Sequence, residues 1–278
     1  MGFKSILTIW DGRDESRGAL DRATGLARAS DGHLNVLCLG FDRIQPGLYY
    51  AGATPVVFHE SLESAQEEAR KSEASVNLIL NGSDVNWSCR SAVTQINGVY
   101  NLVGLAARYN DLVVLPAPYA NTRGPEAAAS VEAAMFHGRA PVLVCPKTDE
   151  AGSFRRIVVA WNQSAEAMAA VRAALPILSQ AEAVDIAIVD PAPHGEDQAD
   201  PGAELSRMLA RHGPDVGVSV LARTVPKIAE VLERHAMDFN AELVVMGAYG
   251  HSRFRESILG GVTRDVLEDV GIPVLMAH

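Results

Sequence analysis

A chain of 278 residues is long for one compact domain and comfortable for two of roughly 140 residues each. Its 48% hydrophobic and 21% charged content is that of an ordinary globular protein. A net charge of −10 excludes the basic footprint that nucleic acid or anionic lipid calls for.

The N-terminus, MGFKSILTIWDG, carries neither a long apolar signal region nor a small-residue cleavage site, and no run approaches the ~20 apolar residues of a membrane span. The cytoplasm is the expected compartment. The first element is the apolar run from Lys4 to Asp11, a strand ending in Trp10, followed by an alanine-rich helical pattern from Ser16 to Ala29. The run NVLCLG around Cys38 is a second strand. From Gly40 to Gly82 comes a long connection holding Gly47, Tyr49, Tyr50 and Gly52. A helix, a strand over Asp111 to Leu115, another helix and a closing strand over Ala140 to Val144 complete the first half. Residues 147–153 are polar and form a short linker.

The order then restarts. Arg155 to Asn162 repeats the opening run, again closing on Trp161 and a short polar residue, and an alanine-rich helix spans Ser164 to Ser179 with Ser164 as its N-cap. Glu242 to Met246 repeats Asp111 to Leu115, and Ile272 to Met276 repeats Ala140 to Val144. Three matches in one order identify a duplicated unit. In the second half the stretch PAPHGEDQADPGAEL stands in for the long connection and is expected to be short and mobile. The helix over Ile228 to Met237 turns Ile228, Val231 and Leu232 to one face, and Asn240 stops it. Strands such as IVVAW, DIAIVD and ELVVMG are apolar throughout, the signature of a parallel sheet covered on both faces. The expected fold is α/β: two tandem Rossmann-like domains, residues 1–147 and 154–278, each an open parallel five-stranded sheet with helices on both faces.

In such sheets ligands bind beyond the carboxyl ends of the strands, where strand order reverses. After the strand ending at Met246 come Gly247 and Gly250, then Gly260 and Gly261 opening an amphipathic helix that begins Val262-Thr263. Glycines let an anion approach the backbone, and a helix N-terminus offers free N–H groups with a favourable dipole. The two turns together form a phosphate cradle. In the first half the equivalent stretch reads Leu115-Pro116-Ala117-Pro118-Tyr119, and Ala128-Ala129-Ser130 replaces the later glycine pair. Proline has no N–H to donate, so that corner is expected to be degenerate.

The spacing Gly247-x2-Gly250-x9-Gly260-Gly261, with Val262-Thr263 following, resembles the Gly-x2-Gly-x9-Gly-(Ser/Thr) signature of the universal stress protein family. The resemblance implies an adenine-nucleotide α-hydrolase-like fold and a bound adenine nucleotide (ATP, ADP or AMP), with Mg2+ entering only with it. It places adenine and ribose near Ala160, Asn162 and Ile188, and phosphates on Gly247, Gly250, Gly260 and Gly261 beside Val262 and Thr263. Two positions depart from the family pattern: Gly261 stands where Ser or Thr is usual, and Asn162 where Asp is usual. Asp11 keeps the acidic residue in the first half. The resemblance also implies that the closing strands pair, here within one chain as a pseudo-dimer, with homodimerisation a further option.

Efficient catalysis is not expected, because no GxSxG, P-loop or convincing carboxylate pair is present; slow ATP hydrolysis is the most the sequence leaves room for. The eight histidines lack ligand spacing, so no metal site is expected. His251, Arg253 and Arg255 lie in the Gly-rich loop, where they either reach phosphate or are simply solvated, and Trp10 and Trp161 are expected to pack rather than stack on a base. Cys38 and Cys145 read as buried hydrophobes; Cys89, in the polar stretch WSCRS, is more exposed but has no activating neighbour in sequence. The expected function is stress-response signalling through nucleotide binding in the second domain. A ligand-free scaffold of the same fold is the alternative.

Overall fold

The computed structural model describes residues 2–43, 55–119, 123–149, 152–191, 201–248 and 261–278. The first half runs β1 (Ser5–Trp10), α1 (Arg17–Ala29), β2 (His33–Phe41), α2 (Pro55–Leu80), β3 (Asn86–Thr94), α3 (Val99–Ala107), β4 (Leu112–Pro116), α4 (Pro125–Glu132) and β5 (Val142–Cys145). The second repeats it as β6 (Arg156–Ala160), α5 (Ala165–Leu178), β7 (Ala183–Val189), α6 (Ala203–Ala210), β8 (Asp215–Leu221), α7 (Ile228–Asp238), β9 (Leu243–Gly247), α8 (Gly261–Glu268) and β10 (Val274–Ala277).

The ten strands form one sheet in the order β3-β2-β1-β4-β5-β10-β9-β6-β7-β8. All neighbours are parallel except at the centre, where β5 and β10 run antiparallel with Leu275 opposite Leu143. Each half is therefore a five-stranded parallel unit, as expected, and the two share one seam. Buried side chains fill both faces. Ile6, Leu20, Leu34, Ile157, Val171 and Ile186 belong to one layer; Leu7, Val103, Val113, Val158, Leu232 and Val244 belong to the other. Because each layer draws on both halves, the core is continuous across the seam.

Two connections differ from expectation. Much of the stretch from Gly40 to Gly82 is helical: α2 occupies 26 residues of it. Of the second-half connection, residues 203–205 already belong to α6, while 192–200 lie outside the described residues. The third strand of each half, β3 and β8, sits at a sheet edge, so its residues are exposed or half-buried and none is fully buried. Edge strands need no continuous apolar run, which is why pattern reading passes over NWSCRSAVT and DVGVSVL.

Local signals otherwise behave as the residues dictate. Ser164 Oγ accepts the Ala167 N–H at 3.1 Å, capping α5. Asn240, at φ +52°, ends α7 in the left-handed conformation that Asn tolerates. The polar linker is not loose. Asp149 is buried against Arg22 of α1, with 2.5 Å between Arg22 Nη2 and Asp149 Oδ1 and 2.7 Å between Arg22 Nε and Asp149 Oδ2. Arg22 also donates to the Gly152 carbonyl and lies 4.2 Å over the Phe154 ring.

Candidate functional site

Strand order reverses on either side of β1 in the first half and of β6 in the second, so each half has one crevice over its strand ends: between β1 and β4, and between β6 and β9. In the second crevice Ala160 pairs with Met246, which sets Gly247 beside the residues that follow β6. Asn162 is exposed there, and its Oδ1 accepts the Ser164 N–H at 3.1 Å. The start of α8, Gly261-Val262-Thr263, follows on from β9, the strand that forms the crevice's other wall.

The two described glycines of the motif do different physical work. A Cβ on Gly247 would fall 2.4 Å from the Ala167 backbone nitrogen and 2.7 Å from the Glu166 carbonyl carbon. Gly247 thus allows β9 to end hard against the first turn of α5. A Cβ on Gly261 would meet nothing within 4 Å among the described residues. Among the described residues the missing side chain leaves space free at a helix N-terminus, where the first N–H groups have no intrahelical acceptor and the dipole favours an anion. Gly250 and Gly260 lie outside the described residues, as do His251, Arg253 and Arg255.

Of the remaining predicted positions, Thr263 and Ile188 have buried side chains. Thr263 is buried at 4% exposure, and Val262 packs on the core. Ile188 is also buried, in the layer under α6, where its Cδ1 approaches Gly202. Trp161 is buried and donates its indole N–H to the Pro201 carbonyl at 2.9 Å; Trp10 makes the matching bond to Ser75 Oγ at 2.7 Å. Both tryptophans pack, as expected.

The first crevice is closed by the protein itself. Arg123, just before α4, turns inward with its side chain 5% exposed. Its Nη1 lies 3.3 Å from Asp11 Oδ2, and its Nη2 donates to Ser16 Oγ at 2.7 Å. Ser16 Oγ in turn donates to Asp11 Oδ1 at 2.5 Å. Burial pulls the guanidinium below its usual pKa, and the Asp11 carboxylate opposes that shift. Among the described residues the Arg123 Nε–H has no acceptor. Sequence matching set Ala128 and Ala129 against the second-half glycine pair, but the helix starts a turn earlier, with Gly124 as its N-cap. Glu126 supplies the negative charge in its first turn and approaches Arg43 at 3.8 Å. The space left at this corner is about 30 Å³, room for one water and not for a polyphosphate. On the far side of Asp11 an open groove of about 550 Å³ runs along α2, lined by Glu67, Glu68 and Lys71 among others.

Sequence reasoning did not find Arg123, because nothing local marks an arginine that returns across 112 residues to Asp11. Replacing it with alanine should lower stability by about 1.5–3 kcal/mol, the usual cost of losing hydrogen bonds to a charged group. Lysine should not rescue it, since a single ammonium cannot span both Asp11 and Ser16 as the guanidinium fork does. Urea unfolding of the two variants measures this; full rescue by lysine would mean that charge alone matters.

The sheet and its two crevices define a Rossmann-like α/β protein in which the first crevice holds a buried arginine. Residues 153–278 match the family model described as the universal stress protein family. That second half is similar to the universal stress protein family. A universal stress protein of Synechocystis sp. is 36% identical over 69 residues, a match spanning 25% of this chain and 23% of that protein. A universal stress protein of Archaeoglobus fulgidus DSM 4304 has a similar fold, with a TM-score of 0.70 at 16% identity, covering 99% of this chain and 98% of its own. A protein of Pseudomonas aeruginosa UCBPP-PA14, described as a putative universal stress protein, gives 0.64 at 17% identity over 99% and 93%. At these identities the two structures speak to the fold, and they do so over both halves.

Proposed function

We propose that this protein is a tandem universal stress protein whose second domain, residues 154–278, binds an adenine nucleotide (ATP, ADP or AMP), and whose first, residues 1–147, has lost that ability. It signals through ligand occupancy, without efficient catalysis, in the cytoplasm. The contrast between the two halves supports this reading most directly: no described atom near a side chain at Gly261 in one, a buried Arg123–Asp11 pair in the other. Ala160 and Asn162 frame adenine and ribose, with Ile188 offering only its backbone. Gly247, Gly250, Gly260, Gly261, Val262 and Thr263 supply backbone donors to the phosphates. Mg2+ would arrive on those phosphates; among the described residues no cluster of three His, Cys, Asp or Glu side chains offers a metal site of its own. No described helix is long and apolar enough to cross a membrane. The β5–β10 seam makes the chain its own pseudo-dimer, with homodimers a further level of assembly.

Isothermal calorimetry with ATP, ADP and AMP tests the proposal: binding of at least one is expected, and no heat or thermal stabilisation at millimolar nucleotide would overturn it. That second result would favour a ligand-free scaffold, a reading that draws support from the buried Thr263 and from Asn162 Oδ1 being already engaged. Gly261→Ser sharpens the test. The serine hydroxyl would enter open space and can donate to phosphate, and one hydrogen bond to a charged acceptor is worth roughly 1.5–3 kcal/mol. Nucleotide affinity should rise roughly 10-fold or more, with folding stability unchanged.

A further inference from the structure

We propose that Cys38 and Cys89 form a peroxide-oxidisable dithiol, a modification site separate from both crevices. Cys38 lies on β2 and Cys89 on β3, and their sulfurs are 3.4 Å apart. In the parallel register Cys89 sits opposite Val36 and Cys38 opposite Ser91, so the two cysteines stand diagonally on one face of the sheet. They share the core layer that contains Val76 and Leu80 of α2.

The two sulfurs are unequal in a way that suits stepwise chemistry. Cys38 is fully buried, whereas Cys89 is half-buried on an edge strand and within reach of a small oxidant. The Cys38 thiol hydrogen-bonds Cys89, which lowers the Cys89 pKa and raises that of Cys38; burial and the nearby Glu73 carboxylate partly oppose the lowering at Cys89. Cys89 is therefore the nucleophile and Cys38 the resolving thiol. The Cys89 thiolate attacks a hydroperoxide oxygen: an S–O bond forms, the O–O bond breaks, and the departing hydroxide takes up a proton as water. The Cys38 sulfur then attacks the sulfenic sulfur; the S–S bond forms, the S–O bond breaks, and the second oxygen leaves as water with the Cys38 proton. Two thiols and one hydrogen peroxide give one disulfide and two waters.

Bond formation draws the sulfurs from 3.4 Å to about 2.05 Å. Strand β3 can accommodate that shift because it pairs only with β2. The cross-link closes a loop that contains all of α2. Trp10 pairs directly with Cys38 on the neighbouring strand and bonds Ser75 of α2, so its fluorescence should report the change.

The test is to treat the folded full-length protein with a few equivalents of hydrogen peroxide, denature it, alkylate it and weigh it. Two of the three thiols should become unreactive, with a loss of two hydrogens, one cross-linked peptide pair carrying Cys38 and Cys89, and full reversal by dithiothreitol. Cys145, fully buried, serves as the internal control. Cys38→Ser should leave Cys89 as a sulfenic acid trappable by dimedone, formed at least several-fold more slowly than the wild-type disulfide. Cys89→Ser should leave Cys38 unoxidised. Three alkylatable thiols after peroxide, direct passage of Cys89 to sulfinic acid, or a disulfide only between chains would each overturn the proposal. A purely structural pair would show lower stability in the serine variants and no response of the wild type to peroxide.

Discussion

Gly247→Ala is expected to cost about 3 kcal/mol of stability, the upper end of the range for overpacking, although it adds a single methyl group. The added carbon would sit 2.4 Å from Ala167 N, 2.7 Å from the Glu166 carbonyl carbon and 2.8 Å from Ala167 Cα, and all three are backbone atoms. No rotamer change relieves that. Either β9 or the first turn of α5 must move, and the Ser164 cap on α5 is strained with it. On the proposed function, nucleotide binding in the second crevice should weaken at least about 10-fold at temperatures where the variant remains folded, since the crevice walls are the elements displaced. Gly261→Ala is the control: its methyl group enters open space, and stability should change by no more than about 0.5 kcal/mol. Chemical denaturation of both variants measures the difference. Equal costs would mean that the close approach at Gly247 is not what holds β9 in place.

Arg22→Ala is expected to lower stability by about 3–5 kcal/mol, because it strands the buried Asp149 carboxylate without its partner. The Arg22 and Asp149 side chains are 5% and 3% exposed, so water cannot replace the lost guanidinium. The substitution also removes the cation above the Phe154 ring and the donor to the Gly152 carbonyl, the two contacts that bring the start of the second half onto α1. An Arg22→Met/Asp149→Leu double variant should recover most of the loss, since removing both charges removes the desolvation penalty as well. Urea melts of the single and double variants decide the matter. A single-variant cost below about 1 kcal/mol would show that the pair is effectively solvated.

These two residues mark what could and could not be read in advance. Gly247 stood out in the sequence as part of a glycine pattern, which was read as a phosphate cradle. The assumed reason, backbone access for an anion, fits Gly261 better than Gly247, which is glycine because a helix end lies against it. A motif records which residue is tolerated and not which neighbour imposes the restriction. The linker over residues 147–153 was legible as a polar boundary, yet its Asp149 is among the more deeply buried acids of the described chain. Composition alone cannot reveal that an arginine 127 residues earlier waits to pair with it.

The alternation of apolar runs with amphipathic helices, repeated in order, was enough by itself to establish the α/β class and four of the five strands of each half, β3 and β8 at the sheet edges being the exceptions. Those features follow from local periodicity and from the rule that parallel strands need covered faces. The sequence also settled the Ser164 cap and the Asn240 stop, which depend on residues within one turn of each other. Only the tertiary structure decided that the halves share one sheet through β5 and β10, that Arg123 fills the first crevice, and that Cys38 touches Cys89. The last two join residues 112 and 51 positions apart, where the intervening chain's path sets the geometry and no local pattern carries the pairing.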